Sequence, residues 1–191
     1  HIVYLKIWSG KFIIQIILAL VIAWVLQYVV DVPDVIIPIF EQSQELNLGW
    51  IYIPIAAFII VGFSNAMNFT DGLDGLAGLF AATCFAAYGA IAIMNGQASL
   101  GRFAFTLVGA LFGYLWFNVH PAQMIMGDTG SLALGATLAV VALMTGEWLI
   151  LPLIAIIPVS EVVSVIIQVA YFKATKGKRV FKMAPDRKSV V

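Results

Sequence analysis

Six apolar runs, near 12–30, 50–64, 76–94, 102–119, 131–146 and 148–172, decide what this 191-residue chain can become. At 1.5 Å of rise per residue, a helix of about twenty residues crosses the roughly 30 Å hydrocarbon layer of a bilayer. The second and fifth runs are short for that task. The last contains Pro152 and Pro158, which predicts a kink. No run alternates with the two-residue period of a barrel strand. A composition that is 62% hydrophobic and 10% charged, with a mean hydropathy of +1.03, agrees with a membrane solvent. The predicted fold class is therefore all-α, a polytopic membrane helix bundle of about six transmembrane helices. The 31–49 link, with Asp31, Pro33, Asp34, Pro38, Glu41 and Glu45, is long enough for a small hairpin or surface loop.

Charge placement orients the bundle. Six crossings put 1–11, 65–75, 120–130 and 173–191 on one side, and with them nine of the ten Lys and Arg residues; Arg102 lies opposite. That bias marks the basic side as cytoplasmic. It also brings Asp71, Asp74 and Asp128 to one face, although they are far apart in sequence. The basic residues after 172 suit lipid headgroups or a substrate phosphate equally well. Net charge is zero, so nothing draws nucleic acid by bulk electrostatics. Cys84 is the one cysteine and excludes an intrachain disulfide. Glu161 falls inside the last run, where a charge must be paired, neutral or turned inward. With Ser160, Ser164 and Gln168 it reads as a polar packing stripe between helices.

Two stretches carry chemistry. The first, Asn65-Ala-Met-Asn68-Phe-Thr-Asp71-Gly-Leu-Asp74-Gly-Leu-Ala77-Gly, sets amides and carboxylates three apart where an apolar run ends. Asn68 with Asp71, and Asp71 with Asp74, can converge on one ligand if the segment is helical, while Gly72 and Gly75 loosen or end the helix. Neighbouring carboxylates repel unless a cation or proton separates them. A hard cation such as Mg²⁺ takes oxygen ligands and shares them with phosphate. A solvated helix end with turn glycines accounts for these residues as well. The second stretch is Asn118-Val-His120-Pro121-Ala122-Gln123-Met-Ile125-Met-Gly127-Asp128-Thr129-Gly130-Ser131. Thr129 or Asp128 is placed to cap the following helix, whose first N–H groups would face an anion. His120, before a proline, reads as a loop or interface histidine.

With both stretches on one face, the chain closely resembles the phospho-N-acetylmuramoyl-pentapeptide transferases, within the wider polyprenyl-phosphate sugar-1-phosphate transferases. The resemblance rests on Ser64-Asn-Ala-Met-Asn-Phe-Thr-Asp-Gly-Leu-Asp-Gly-Leu-Ala77, Phe117-Asn-Val-His-Pro-Ala122, Met126-Gly-Asp-Thr-Gly-Ser-Leu-Ala-Leu-Gly135 and Gly177-Lys-Arg-Val-Phe-Lys-Met-Ala-Pro185. It implies Mg²⁺-dependent transfer of phospho-N-acetylmuramoyl-pentapeptide from UDP-N-acetylmuramoyl-pentapeptide to undecaprenyl phosphate, with release of UMP, at the cytoplasmic face of a bacterial plasma membrane. Asp71, Asp74 and Asp128 would be the catalytic carboxylates, Asp128 the magnesium ligand. Asn68, Asp71, Asp74, Asn118, Gly127 and Ser131 would bind substrate, Asn118 near the uracil. A homodimer is the assembly that the resemblance suggests.

Three positions depart from the family. Ile125 stands where an aromatic residue is usual, and Ile2-Val3 where an Asp-Asp pair precedes Tyr4-Leu5-Lys6. After Pro185 a histidine-rich loop is expected, but 186–191 fits no part of the family and looks like a translated sequencing adapter. We therefore expect a single transferase domain over 1–185, incomplete at both ends and inactive alone, followed by a non-native tail over 186–191. A transferase for N-acetylglucosamine phosphate, a cation transporter and a structural membrane module are the alternative readings.

Overall fold

A computed structural model describes residues 2–32, 36–37, 44–45 and 48–175. The expected tail over 186–191 and the basic residues beyond 175 lie outside the described residues. Among the described residues, seven α-helices make up the bundle: α1 (Ile2–Tyr28), α2 (Tyr52–Thr70), α3 (Leu76–Met94), α4 (Ala98–Asn118), α5 (Gly127–Thr145), the single turn α6 (Leu151–Ile154) and α7 (Ile156–Ala174). Six of them are long and apolar enough to cross a membrane, α1 from Gly10 onward. The 31–49 link contains the hairpin alternative, a two-residue antiparallel ladder of β1 (Ile36–Ile37) and β2 (Gln44–Glu45).

Small side chains bring the helices together, as expected where lipid offers apolar groups no incentive to leave it. Ala19 and Ala23 of α1 meet Ala56, Ala57 and Ile60 of α2, with Ala139 and Leu143 of α5 closing the cluster. A second cluster joins Ala81, Phe85 and Tyr88 of α3 to Leu111 of α4 and Leu138 and Ala142 of α5. Gly135 sets the closest approach. A Cβ there would overlap the Phe63 carbonyl oxygen and come within 2.8 Å of both Met67 Cβ and Ser64 Cα. The Ser64 hydroxyl donates to the Leu132 carbonyl at 2.9 Å across the same seam. Large apolar residues such as Phe58 and Trp116 point outward, as a hydrocarbon solvent permits.

Three details differ from the sequence reading. The second helix does not stop near 64 but runs to Thr70, and α5 starts at Gly127 rather than 131. Polar residues enter these helices unharmed because their side chains find partners: Asn65 Nδ2 donates to the Val61 carbonyl at 2.8 Å and to Gln15 Oε1 at 3.1 Å. The expected kink is a full break at Ala155 (φ −98°, ψ 40°). Pro158 explains its position, since a proline ring clashes with the carbonyl four residues back, here that of Ile154. The predicted polar stripe on α7 is also narrower. Ser160 and Ser164 are exposed and donate to α7's own carbonyls, leaving half-buried Glu161 and buried Gln168.

Candidate active site at one end of the bundle

Tight turns bring both chemical stretches to the same end. Asp71 terminates α2, its N–H bonded to the Met67 carbonyl at 3.2 Å, so the row of three-residue spacings is helical only through Thr70. The 71–75 turn then reverses the chain, and Gly75 enters α3 at φ +80°, a left-handed conformation that suits glycine. Asp71 and Asp74 consequently serve different places. α5 begins at Gly127 (φ +68°) with Met126 as its N-cap and no side-chain cap, so neither Thr129 nor Asp128 takes the capping role. Asp128 instead sits in the first turn, where the helix dipole favours a carboxylate.

Asn68 ties the two stretches together. Its Nδ2 donates to Ser131 Oγ at 2.9 Å and reaches Asp128 Oδ1 at 3.3 Å; Ser131 Oγ donates to the Gly127 carbonyl at 3.0 Å. Ser131 is fully buried, so it stands behind Asn68 rather than at the surface. Asp71 feels its surroundings: partial burial raises its pKa above the usual carboxylate range. A backbone hydrogen bond from Gly127 pulls the other way, and the negative charge of Asp128 adds to the rise. Asp128 is largely exposed, with Lys11 Nζ at 4.0 Å from its Oδ2.

Asp74 and Asn118 are occupied on the flank. Asp74 Oδ2 lies 3.0 Å from His120 Nδ1 and 3.4 Å from the Ala122 N–H. Asn118 is buried, its Oδ1 accepting the Gly75 N–H at 2.9 Å and its Nδ2 donating to the Met124 carbonyl at 2.6 Å.

The profile of glycosyl transferase family 4 matches residues 4–146, most of this chain and both stretches. The chain belongs to that family. Relatives named phospho-N-acetylmuramoyl-pentapeptide-transferase carry the resemblance further. The one from Chloroflexus aurantiacus is 53% identical over 148 residues, covering 74% of this chain and 40% of the relative. That from Caldanaerobacter subterraneus is 47% identical over 175 residues, 92% and 54% respectively. That from Rickettsia bellii is 41% identical over 193 residues, 93% and 54%. The chain spans about half the length of the curated relatives it matches.

Among the described residues, no three of His, Cys, Asp and Glu gather as a metal cage. Two mutually repelling carboxylates at an open helix end do suit Mg²⁺, which takes one or two carboxylates and completes its shell with water and phosphate. The residues present fit that ion. Sequence reasoning missed Lys11 as a site neighbour and gave His120 no partner. Lys11 and Gln15 lie one turn apart on a mostly apolar helix, and that pairing was the available signal for a site-facing edge of α1.

Proposed function

We propose that the protein of which this chain is the family 4 part transfers phospho-N-acetylmuramoyl-pentapeptide from its UDP carrier to undecaprenyl phosphate. The observation that carries this is the meeting of Asp71, Asp128 and Asn68 at one open end of an apolar bundle. The relatives' names supply the transferred group. A phosphate oxygen of the lipid attacks the sugar-bearing phosphorus, and the bond from that phosphorus to the UMP oxygen breaks. The attacking oxygen is already anionic near neutral pH, so no general base is needed. The demand on the protein is to hold several negative groups together and in line.

In this reading Asp128 would hold Mg²⁺ with Asp71 beside it, and the ion would supply positive charge against the diphosphate. Asn68 and the backbone at Gly127 stand beside these carboxylates, with Ser131 holding Asn68 in place. Asp74 and Asn118 border the site. Lys11 adds a cation at the mouth. The open end faces the cytoplasm, in keeping with the basic bias of its loops, which puts the lipid phosphate within reach at the membrane surface.

The test is UMP release by a full-length protein carrying this chain, in vesicles containing undecaprenyl phosphate, with either UDP-N-acetylmuramoyl-pentapeptide or UDP-N-acetylglucosamine. Magnesium-dependent release from the first donor alone is expected. Release from the second donor alone overturns the choice of sugar, and cation flux without UMP from either overturns the reaction class.

A further inference from the structure

Asp71 and Asp128, which sense each other's charge, belong to different pieces of chain, and like charges push such pieces apart. Asp71 ends α2, while Asp128 is fixed in the first turn of α5, reached through the 119–126 loop. Something must hold that loop against the 71–75 turn. The described contacts at the junction are specific. The Asn118 amide takes the Gly75 N–H with its oxygen and gives a hydrogen to the Met124 carbonyl, so one buried side chain bonds both the turn and the far limb of the loop. The Phe117 carbonyl accepts the N–H groups of Gln123 at 2.8 Å and Met124 at 3.2 Å, which closes the loop on itself. Asp74 then reaches over from the turn to His120 and to the Ala122 N–H.

We propose that Asp74, His120 and Asn118 form a clamp that sets the 119–126 loop on the 71–75 turn, making them positioning residues for the transfer reaction. Asp74 acts through the loop and does not ligate metal or phosphate. Its role is that of a hydrogen-bond acceptor, a task an amide oxygen performs nearly as well as a carboxylate. Asp128 differs in that its charge is the property used. Holding the loop keeps Asp128 opposed to Asp71 before substrate arrives, and such preorganisation appears in substrate affinity more than in turnover. The kinetic half of this proposal rests on the phosphosugar-transfer reading; the structural half does not.

The test uses the full-length protein carrying this chain and two readouts. In the first, Asp74→Asn should raise KM for the UDP donor clearly less than Asp74→Ala does, because its side-chain oxygen can still accept from His120 and from the Ala122 N–H. Asp74→Ala and Asn118→Ala should raise KM for the UDP donor roughly tenfold or more with a smaller change in kcat. His120→Ala, at an exposed position that leaves the core intact, should do the same more weakly, and the Asp74→Ala/His120→Ala pair should be no worse than the poorer single variant. In the second, a thiol is placed on the loop by Gln123→Cys in a chain whose native Cys84 is buried. Its labelling rate without substrate should rise several-fold in Asp74→Ala and stay unchanged in Asp74→Asn. Asp74→Asn proving as damaging as Asp128→Asn overturns the proposal, as does labelling that is equal in wild type and Asp74→Ala. A protein that releases no UMP yet shows the labelling difference upholds the clamp and sinks the transfer reading.

Discussion

The two ends of the bundle are both polar, and they use their polar groups in opposite ways. At the end away from the site, Asn95 Nδ2 donates to Glu147 Oε1 at 3.1 Å and Gln97 Nε2 to the Met144 carbonyl at 2.9 Å. The Gln27 amide donates to the Gly49 carbonyl. These contacts stitch turn to turn. A cavity of about 830 Å³ opens there between α1, α4 and α5, walled by Ile22, Phe103, Val140 and Met144 with Asp31 at its edge. At the opposite end Asp71 and Asp128 are set close enough to repel, and Lys11 Nζ lies 4.0 Å from Asp128. An apolar-walled cavity therefore marks one end, and two like charges set near each other mark the other. Polar groups that satisfy one another build a scaffold, whereas charges kept near each other at a cost mark where a ligand is expected.

Substitutions at the two ends should separate these roles. Asp128→Asn should lower UMP release by about a thousandfold while leaving thermal unfolding little changed, as loss of a transition-state charge contact does. Glu147→Gln, which keeps an acceptor for Asn95, should leave the rate alone. Gln97→Ala should show the reverse pattern: about 1 kcal/mol of stability lost, read by thermal unfolding in detergent, with no change in rate. A smaller effect attaches to Asp71. Its raised pKa means that ionisation is disfavoured in the folded protein, so the stability it contributes is present below its ordinary value of 3.8 and lost as pH rises through the folded value. Asp71→Asn should thus raise the unfolding temperature of the metal-free protein at pH 8, and the gain should shrink as pH falls toward 3.8 or when Mg²⁺ is added. Least affected should be Lys11→Gln, because both partners of that ion pair are mostly exposed and such pairs contribute at most about 1 kcal/mol. Its small rate effect should fade with added salt.

The spans were legible because hydropathy alone selects segments that lipid will accept. Their ends were less so. Asn65 and Asn68 look like the end of an apolar run, yet the helix continues because Val61, Gln15 and Ser131 satisfy their amides. The break before α7 was legible as a proline effect, but its place at Ala155 follows from the ring's clash with Ile154 rather than from either proline's own position. Within the site, counting Lys and Arg brought Asp71, Asp74 and Asp128 to one face. What the sequence could not give was their division of labour. Spacing made Asp71 and Asp74 look equivalent, and only the turn between α2 and α3 sends one toward Asp128 and the other toward His120. Spacing also did not show that Ser131 and Asn118 are buried, with hydrogen-bond partners in other elements.

The proposed site at the charged end, where Asp128 would hold the metal beside the diphosphate, is tested most directly by metal binding. Manganese is a paramagnetic stand-in for magnesium, and its binding to wild type, Asp128→Asn and Glu147→Gln can be titrated with and without UDP. UDP should tighten Mn²⁺ binding in wild type and Glu147→Gln, and Asp128→Asn should lose this tightening. Equal UDP-dependent binding by Asp128→Asn, or its loss in Glu147→Gln alone, would contradict the proposed site.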